Sequence, residues 1–134
     1  MIKMQVSLGS GHSAILLCDG TPLFFGENKY GQCDVPEMGG RKAISISCGS
    51  FHSAILLCDG TPLFFGSNKY GECNVPEMDG KKATGIFCGM RKSVLIVNDE
   101  QVIQFGKFNK NQILKSELIP KRNCFISPVK QGLG

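Results

Sequence analysis

The chain has 134 residues, with 42% hydrophobic and 19% charged content, which suits one soluble domain with a core of ordinary size. No apolar run approaches the roughly 18–20 residues that span a bilayer. No apolar stretch follows Lys3 either, so neither a membrane segment nor a signal peptide is expected, and a cytoplasmic chain, with the nucleus as the other option, is the default.

The net charge of +4 is unevenly placed. Residues 1–80 hold five Lys/Arg and eight Asp/Glu, a balance of −3, and residues 81–134 hold ten and three, a balance of +7. Lys81, Lys82, Arg91 and Lys92 form a local basic cluster, continued by Lys107, Lys110, Lys115, Lys121, Arg122 and Lys130. Such asymmetry marks either an acidic partner or nucleic acid, or a solvated lysine-rich face. The absence of aromatic residues clearly interleaved for base stacking favours the solvated face.

Internal repetition dominates the chain. Residues 12–26 and 52–66 are the same fifteen letters, and residues 11–50 set over 51–90 agree at 30 of 40 positions. Val6-Ser-Leu-Gly9 lies over Ile46-Ser-Cys-Gly49, so the first unit starts near the N-terminus. A worn third copy runs over 92–106. The units read as approximately 3–42, 43–82 and 83–122, with the first strand of a fourth at 123–127, all in one repeat domain.

Each unit reads as four short strands. In the second, residues 43–48 alternate apolar and polar with a β period. Residues 52–58 form the next strand, whose centre, Ala54-Ile-Leu-Leu57, is apolar on both faces, as in a sheet covered on both sides. Asp59-Gly60 predicts a two-residue type I′ hairpin turn. A third strand covers 61–65 and a short fourth covers 72–75, ended by Pro76. In the third unit the strands fall at 84–88, 92–97, 101–105 and 112–115, and Asn98-Asp-Glu100 lacks the turn glycine, which predicts a looser hairpin. A small sheet every forty residues cannot bury both faces alone, so the units must stack. The fold class is all-β: a partial β-propeller of about three four-stranded blades in an open arc.

With Gly11-His12-Ser13, Asp19-Gly20, Phe25-Gly26-Glu-Asn28 and Gly31-Gln32 in the first unit, and Asp59-Gly60, Phe65-Gly66-Ser-Asn68, Tyr70-Gly71 and Val75-Pro76 in the second, the unit resembles the regulator of chromosome condensation repeat. The forty-residue form ending in Val-Pro looks like the short-repeat branch, which includes a propeller-type β-lactamase inhibitor and protist repeat proteins. Phe51 and Glu72 depart from the pattern, and so does Lys92, where the histidine is expected. The resemblance implies a seven-bladed propeller used as a binding platform. Three and a fraction units are less than half of one. The expectation is therefore a fragment of a longer propeller, or a ring closed between chains through its open edges, with 123–127 completing a partner's sheet.

The family's photoreceptor function needs a tryptophan cluster, and this chain has no Trp. No inserted β-wedge of the exchange-factor kind interrupts the units. The function expected is a non-catalytic protein–protein interaction module, without cofactor or metal. The alternatives are a guanine-nucleotide exchange regulator of a Ran-like small GTPase or chromatin-associated factor, and a substrate-recruiting fragment of a ubiquitin ligase. A protein partner is expected, with nucleic acid or chromatin a weaker option and no membrane.

Three sets of residues are candidates for a site. His12 and His52 sit at equivalent points of separate units, so they are expected to hydrogen-bond neighbouring turns rather than share an ion. The seven cysteines are odd in number and contain no C-x-x-C, so they read as small buried hydrophobes at strand positions. The better binding candidates are the loop residues Asn28, Lys29, Tyr30, Asn68, Lys69 and Tyr70, because loops on a rigid sheet carry recognition and Tyr offers contact area at low entropic cost. The competing reading is that both Asn residues cap their own turns and both Tyr rings pack on a neighbouring blade.

Overall fold

The computed structural model describes residues 3–107. Among those residues, nine strands form three antiparallel sheets, one per repeat: β1 Gln5–Leu8, β2 His12–Leu16 and β3 Pro22–Gly26; β4 Ala43–Cys48, β5 His52–Leu57 and β6 Pro62–Gly66; β7 Ala83–Cys88, β8 Lys92–Val97 and β9 Gln101–Gly106. Strand order is sequential within each sheet. The sheets pack face to face as partial propeller blades. No helix among the described residues is long and apolar enough to cross a membrane. The strands expected at 112–115 and 123–127, and Cys124, lie outside the described residues.

In the first two units the sheet has three strands rather than the four expected. The segment read as a fourth strand is a side-chain-held turn. Tyr70 N–H donates to Glu72 Oε1 (2.7 Å), Cys73 N–H to Asn68 Oδ1 (2.8 Å) and Asn74 N–H to the Gly71 carbonyl (3.1 Å). Donors that a ladder would need are already satisfied locally, which is how Asn and its neighbours compete with sheet. The first unit repeats the arrangement at 28–34.

The hairpin turns also differ from expectation. In the first two units the loop has three residues, Cys-Asp-Gly. Gly60 N–H donates to the Leu57 carbonyl and Leu57 N–H to the Thr61 carbonyl, both at 2.9 Å, and only Gly60 has positive φ (88°). That is a turn followed by a left-handed glycine bulge, not type I′. The positive-φ pair appears instead in the third unit, at Asn98 (53°) and Asp99 (59°), where Asn and Asp tolerate it without glycine. Cys18 and Cys58 therefore sit in the turns and are exposed. The buried-strand reading fails for both and holds for Cys48, while Cys33, Cys73 and Cys88 are half-buried. Burial pushes the Cys48 thiol up to about 11 and that of Cys73 to about 12.

The core consists of the two inter-sheet layers. Ile55 and Leu57 on one face of β5 join Ala14, Leu16, Ile46 and Phe65, and Ala54 and Leu56 on its other face join Ile86, Leu95, Val97 and Phe105. This explains why the central strand is apolar throughout and buried at every position. An edge-on ring pair crosses each layer, Phe24–Phe65 at 5.1 Å and Phe64–Phe105 at 5.0 Å. The outward face of the first sheet has no such cover among the described residues. Val6 and Leu8 are 64% and 75% exposed, whereas the equivalent Ile46 and Cys48 are each 7% exposed.

Polar bonds fix the register between sheets. His12 Nε2 lies 2.7 Å from Ser53 Oγ, and Ser53 Oγ donates to the Gln32 carbonyl (2.6 Å). One junction on, His52 Nε2 lies 2.8 Å from Ser93 Oγ, which donates to the Glu72 carbonyl (2.5 Å). Ser7 and Ser47 hydroxyls accept from Cys48 N–H and Cys88 N–H, both at 2.9 Å. The sheets approach so closely here that a Cβ on Gly49 would stand 2.5 Å from the Gly89 carbonyl oxygen. Ser53→Ala strands two buried partners and is expected to cost roughly 2–4 kcal/mol in urea unfolding. Ser13→Ala has no preceding sheet to lose contact with among the described residues and should cost under about 1 kcal/mol. Equal losses at the two sites would show that the junction bonds are not a main source of stability.

Candidate binding site

The two candidate loops leave β3 and β6 and are built alike. Asn28 Oδ1 accepts from Cys33 N–H (2.8 Å) and its Nδ2 donates to Asp34 Oδ1 (2.9 Å). Asn68 does the same with Cys73 N–H and Asn74 Oδ1, both at 2.8 Å. The Asn side chains thus face their own loops. Gln32 and Glu72, both buried, accept from Tyr30 N–H (2.8 Å) and Tyr70 N–H (2.7 Å). The same two residues lend their carbonyls to the junction serines. Each tyrosine is therefore positioned by a residue anchored in the junction.

Both rings reach the next unit. Tyr30 meets Phe51 edge-on at 5.5 Å between centroids. Tyr70 is flanked by Arg91 (5.3 Å) and Lys107 (4.8 Å) of the third unit, and by Lys69 (5.6 Å). Lys29 lies 5.6 Å from the Tyr30 ring. A groove of about 450 Å³ runs between them, with Tyr30, Phe51, Asn68, Lys69, Tyr70 and Arg91 in its wall. It brings Tyr30 together with the second loop, while Asn28 and Lys29 lie outside its lining. Phe51, Arg91 and Lys107 were not among the sequence candidates. The signal for Phe51 was its departure from the repeat pattern. The signal for the other two was that positions 91 and 107 change chemistry relative to 11 and 27, and to 51 and 67.

Arg41–Asp59, at 2.9 Å, is the one ion pair among the described residues. The Arg41 side-chain hydrogen bond, aided by Thr61, holds the Asp59 carboxyl down at about 2. Lys69, Arg91 and Lys107 have no carboxylate partner among those residues. No group of three or more His, Cys, Asp or Glu there could hold a metal ion.

The histidines bond the next unit's serine rather than a neighbouring turn. Since each serine donates its only hydrogen to a carbonyl, the histidine must donate from Nε2. Nδ1 of both His12 and His52 is then a bare, buried lone pair without a partner.

Residues 43–72 match the model of the Regulator of chromosome condensation (RCC1) repeat. That segment carries the RCC1 repeat. No curated protein matches the sequence. Three solved structures share the repeat fold. Prp20p from Saccharomyces cerevisiae, studied for its binding to Gsp1p and histones, has a TM-score of 0.67 at 17% identity, over 86% of this chain and 35% of that one. Human WBSCR16 gives 0.65 at 18%, over 78% and 35%. The ectodomain of the Physcomitrella patens receptor kinase CR4 gives 0.64 at 19%, over 81% and 31%. The chain spans about a third of the length of each.

Desolvation, the largest influence on both histidines, lowers their pKa from the ordinary 6.5. The unfolded chain therefore takes up protons first as pH falls, so the stabilising contribution is whole above about 6.5 and is lost below it. Urea midpoints should fall between pH 7.5 and 5.5. In His12→Gln/His52→Gln, which retains an N–H donor without a titrating ring, that fall should shrink. An unchanged slope in the double variant would place the acid sensitivity elsewhere.

Proposed function

We propose that the chain is a non-catalytic protein-interaction module, working in the cytoplasm or nucleus, that presents the groove between Tyr30 and Tyr70. The observation that carries this reading is the geometry of the two loops. Matching tyrosines have their backbone N–H groups held by junction-anchored side chains on a rigid sheet stack, with an open groove between the two rings. Preorganised tyrosines at a concave edge suit recognition of a protein segment, because little freedom remains to be lost on binding. Peptides selected from a displayed library against the full chain should lose about tenfold or more in affinity with Tyr30→Ala or Tyr70→Ala, in line with aromatic anchors at interfaces. Binders indifferent to both changes would overturn the reading. Prp20p binds Gsp1p, so catalysed nucleotide release from a Gsp1p-like GTPase would replace this reading with an exchange function.

A second mode of association is supported by the uncovered face of the first sheet. Val6, Leu8, Leu23 and Phe25 occupy the positions of Ile46, Cys48, Leu63 and Phe65, which another blade covers in the second unit. In this mode a second copy supplies the missing cover. Sedimentation of the full chain should then show a dimer that Leu8→Glu dissociates, and a monomer at high micromolar concentration would exclude it.

A further inference from the structure

We propose that the groove beside Tyr70 recognises an acidic peptide segment, with Arg91 and Lys107 as its carboxylate-binding cations. This rests on the interaction-module reading and specifies the chemistry of the partner.

The duplication supplies an internal comparison. Tyr30 and Tyr70 occupy the same place in the same loop, held by the same bonds. What differs is the next unit. Beside Tyr30 it offers Phe51, and beside Tyr70 it offers Arg91 and Lys107, at the repeat positions of Phe51 and Ser67. The frame is kept and its lip is converted from aromatic to cationic.

Arg91 also carries a backbone cost. Its φ is +62°, a left-handed conformation that long side chains rarely adopt, whereas Gly11 and Phe51 at the equivalent positions do not have positive φ. Strain of this kind is concentrated at ligand clamps. Here it accompanies a guanidinium beside the Tyr70 ring and an exposed residue, and no carboxylate among the described residues neutralises it.

The chemistry of the occupant follows. A guanidinium restrained against an aromatic ring is preorganised for bidentate binding of a carboxylate, and Lys107 and Lys69 add point charges on the same ring. Because cations flank Tyr70, its faces are less available for stacking on bases, which sequence-tolerant nucleic-acid binding requires. Tyr30 and Phe51 leave an apolar wall across the groove. A peptide with several Asp or Glu residues beside one aromatic side chain matches both walls.

The test is fluorescence anisotropy of the full chain with a labelled peptide of one phenylalanine followed by six glutamates, against an oligothymidylate of equal charge. The chain should bind the peptide in a salt-dependent manner. Arg91→Gly and Lys107→Ser, which restore the residues found at Gly11 and Ser67, should each weaken binding by about tenfold or more. Lys42→Ala, outside the groove, should not. Glycine accepts the backbone conformation at 91, so Arg91→Gly should melt no lower than the parent, which separates lost binding from lost fold. Absent peptide binding, undiminished binding in Arg91→Gly and Lys107→Ser, an equal loss in Lys42→Ala, or tighter binding of the oligothymidylate would each overturn the proposal. Library-selected partners that still need Tyr30 or Tyr70 would leave the interaction-module reading standing in those cases.

Discussion

The structure depends on a short directional relay that crosses each junction between sheets. A histidine Nε2–H of one unit reaches the serine hydroxyl of the next, and that hydroxyl turns back to a carbonyl of the first. Apolar layers could slide by a strand or tilt at small cost, because burial is not directional. A buried hydrogen-bond relay cannot slide, since breaking it strands donors and acceptors at a cost of about 1–3 kcal/mol each. The glycines beside it allow the backbones to come close enough for the relay to close. Its carbonyl end belongs to Gln32 or Glu72, whose side chain in turn holds the tyrosine-bearing loop. Packing at the core is thereby coupled to the shape of the rim, and the proposed site inherits its rigidity from the junction rather than from its own contacts.

Duplication makes the effect of neighbours visible. The two loops have nearly the same sequence and the same internal bonds, yet one tyrosine lies against a phenylalanine and the other among cations. Cation–π contacts at exposed sites are each worth only about 0.5–1 kcal/mol, so they do not hold the fold. They orient side chains that would otherwise be free. Function in such a stack can change by substitution at two rim positions while the relay beneath stays intact.

Strand placement was largely legible in the sequence. The β period at 43–48 and the two-sided apolar run at 54–57 correspond to β4 and β5, because each pattern has a single burial explanation in stacked sheets. The fourth strand was not legible, since Cys73 and Val75 have the right alternation while the competing bonds of Asn68 and Glu72 are invisible to periodicity. The turn was misread for a related reason. Asp59-Gly60 suits two hairpin geometries, and the register of Leu57 and Thr61 selects the longer one, which carries Cys58 out to solvent. The tyrosine loops were legible as turns carried on the sheets. Their partners Phe51, Arg91 and Lys107 were not, because a contact across a junction depends on which face of a unit meets the next.

The wear in the third unit is sided, and this argues that the letters answer to neighbours rather than to the strand pattern. Residues that face the second unit keep their kind: Ser93, which accepts from His52, and Phe105, which meets Phe64, repeat Ser53 and Phe65, and Leu95 and Val97 stay apolar and buried where Ile55 and Leu57 stand. Residues at positions that face forward in the earlier units have changed: Lys92 stands where His12 and His52 donate, Phe87 where Ser7 and Ser47 accept, and Gln104 where Phe24 and Phe64 pack. Lysine cannot replace the neutral imidazole, since a buried ammonium needs counter-charge that a serine hydroxyl does not provide. Phe87, 53% exposed, offers no acceptor. Among the described residues, the forward positions of the third unit thus keep the β geometry of a blade while their side chains differ from those that interlock the first two junctions.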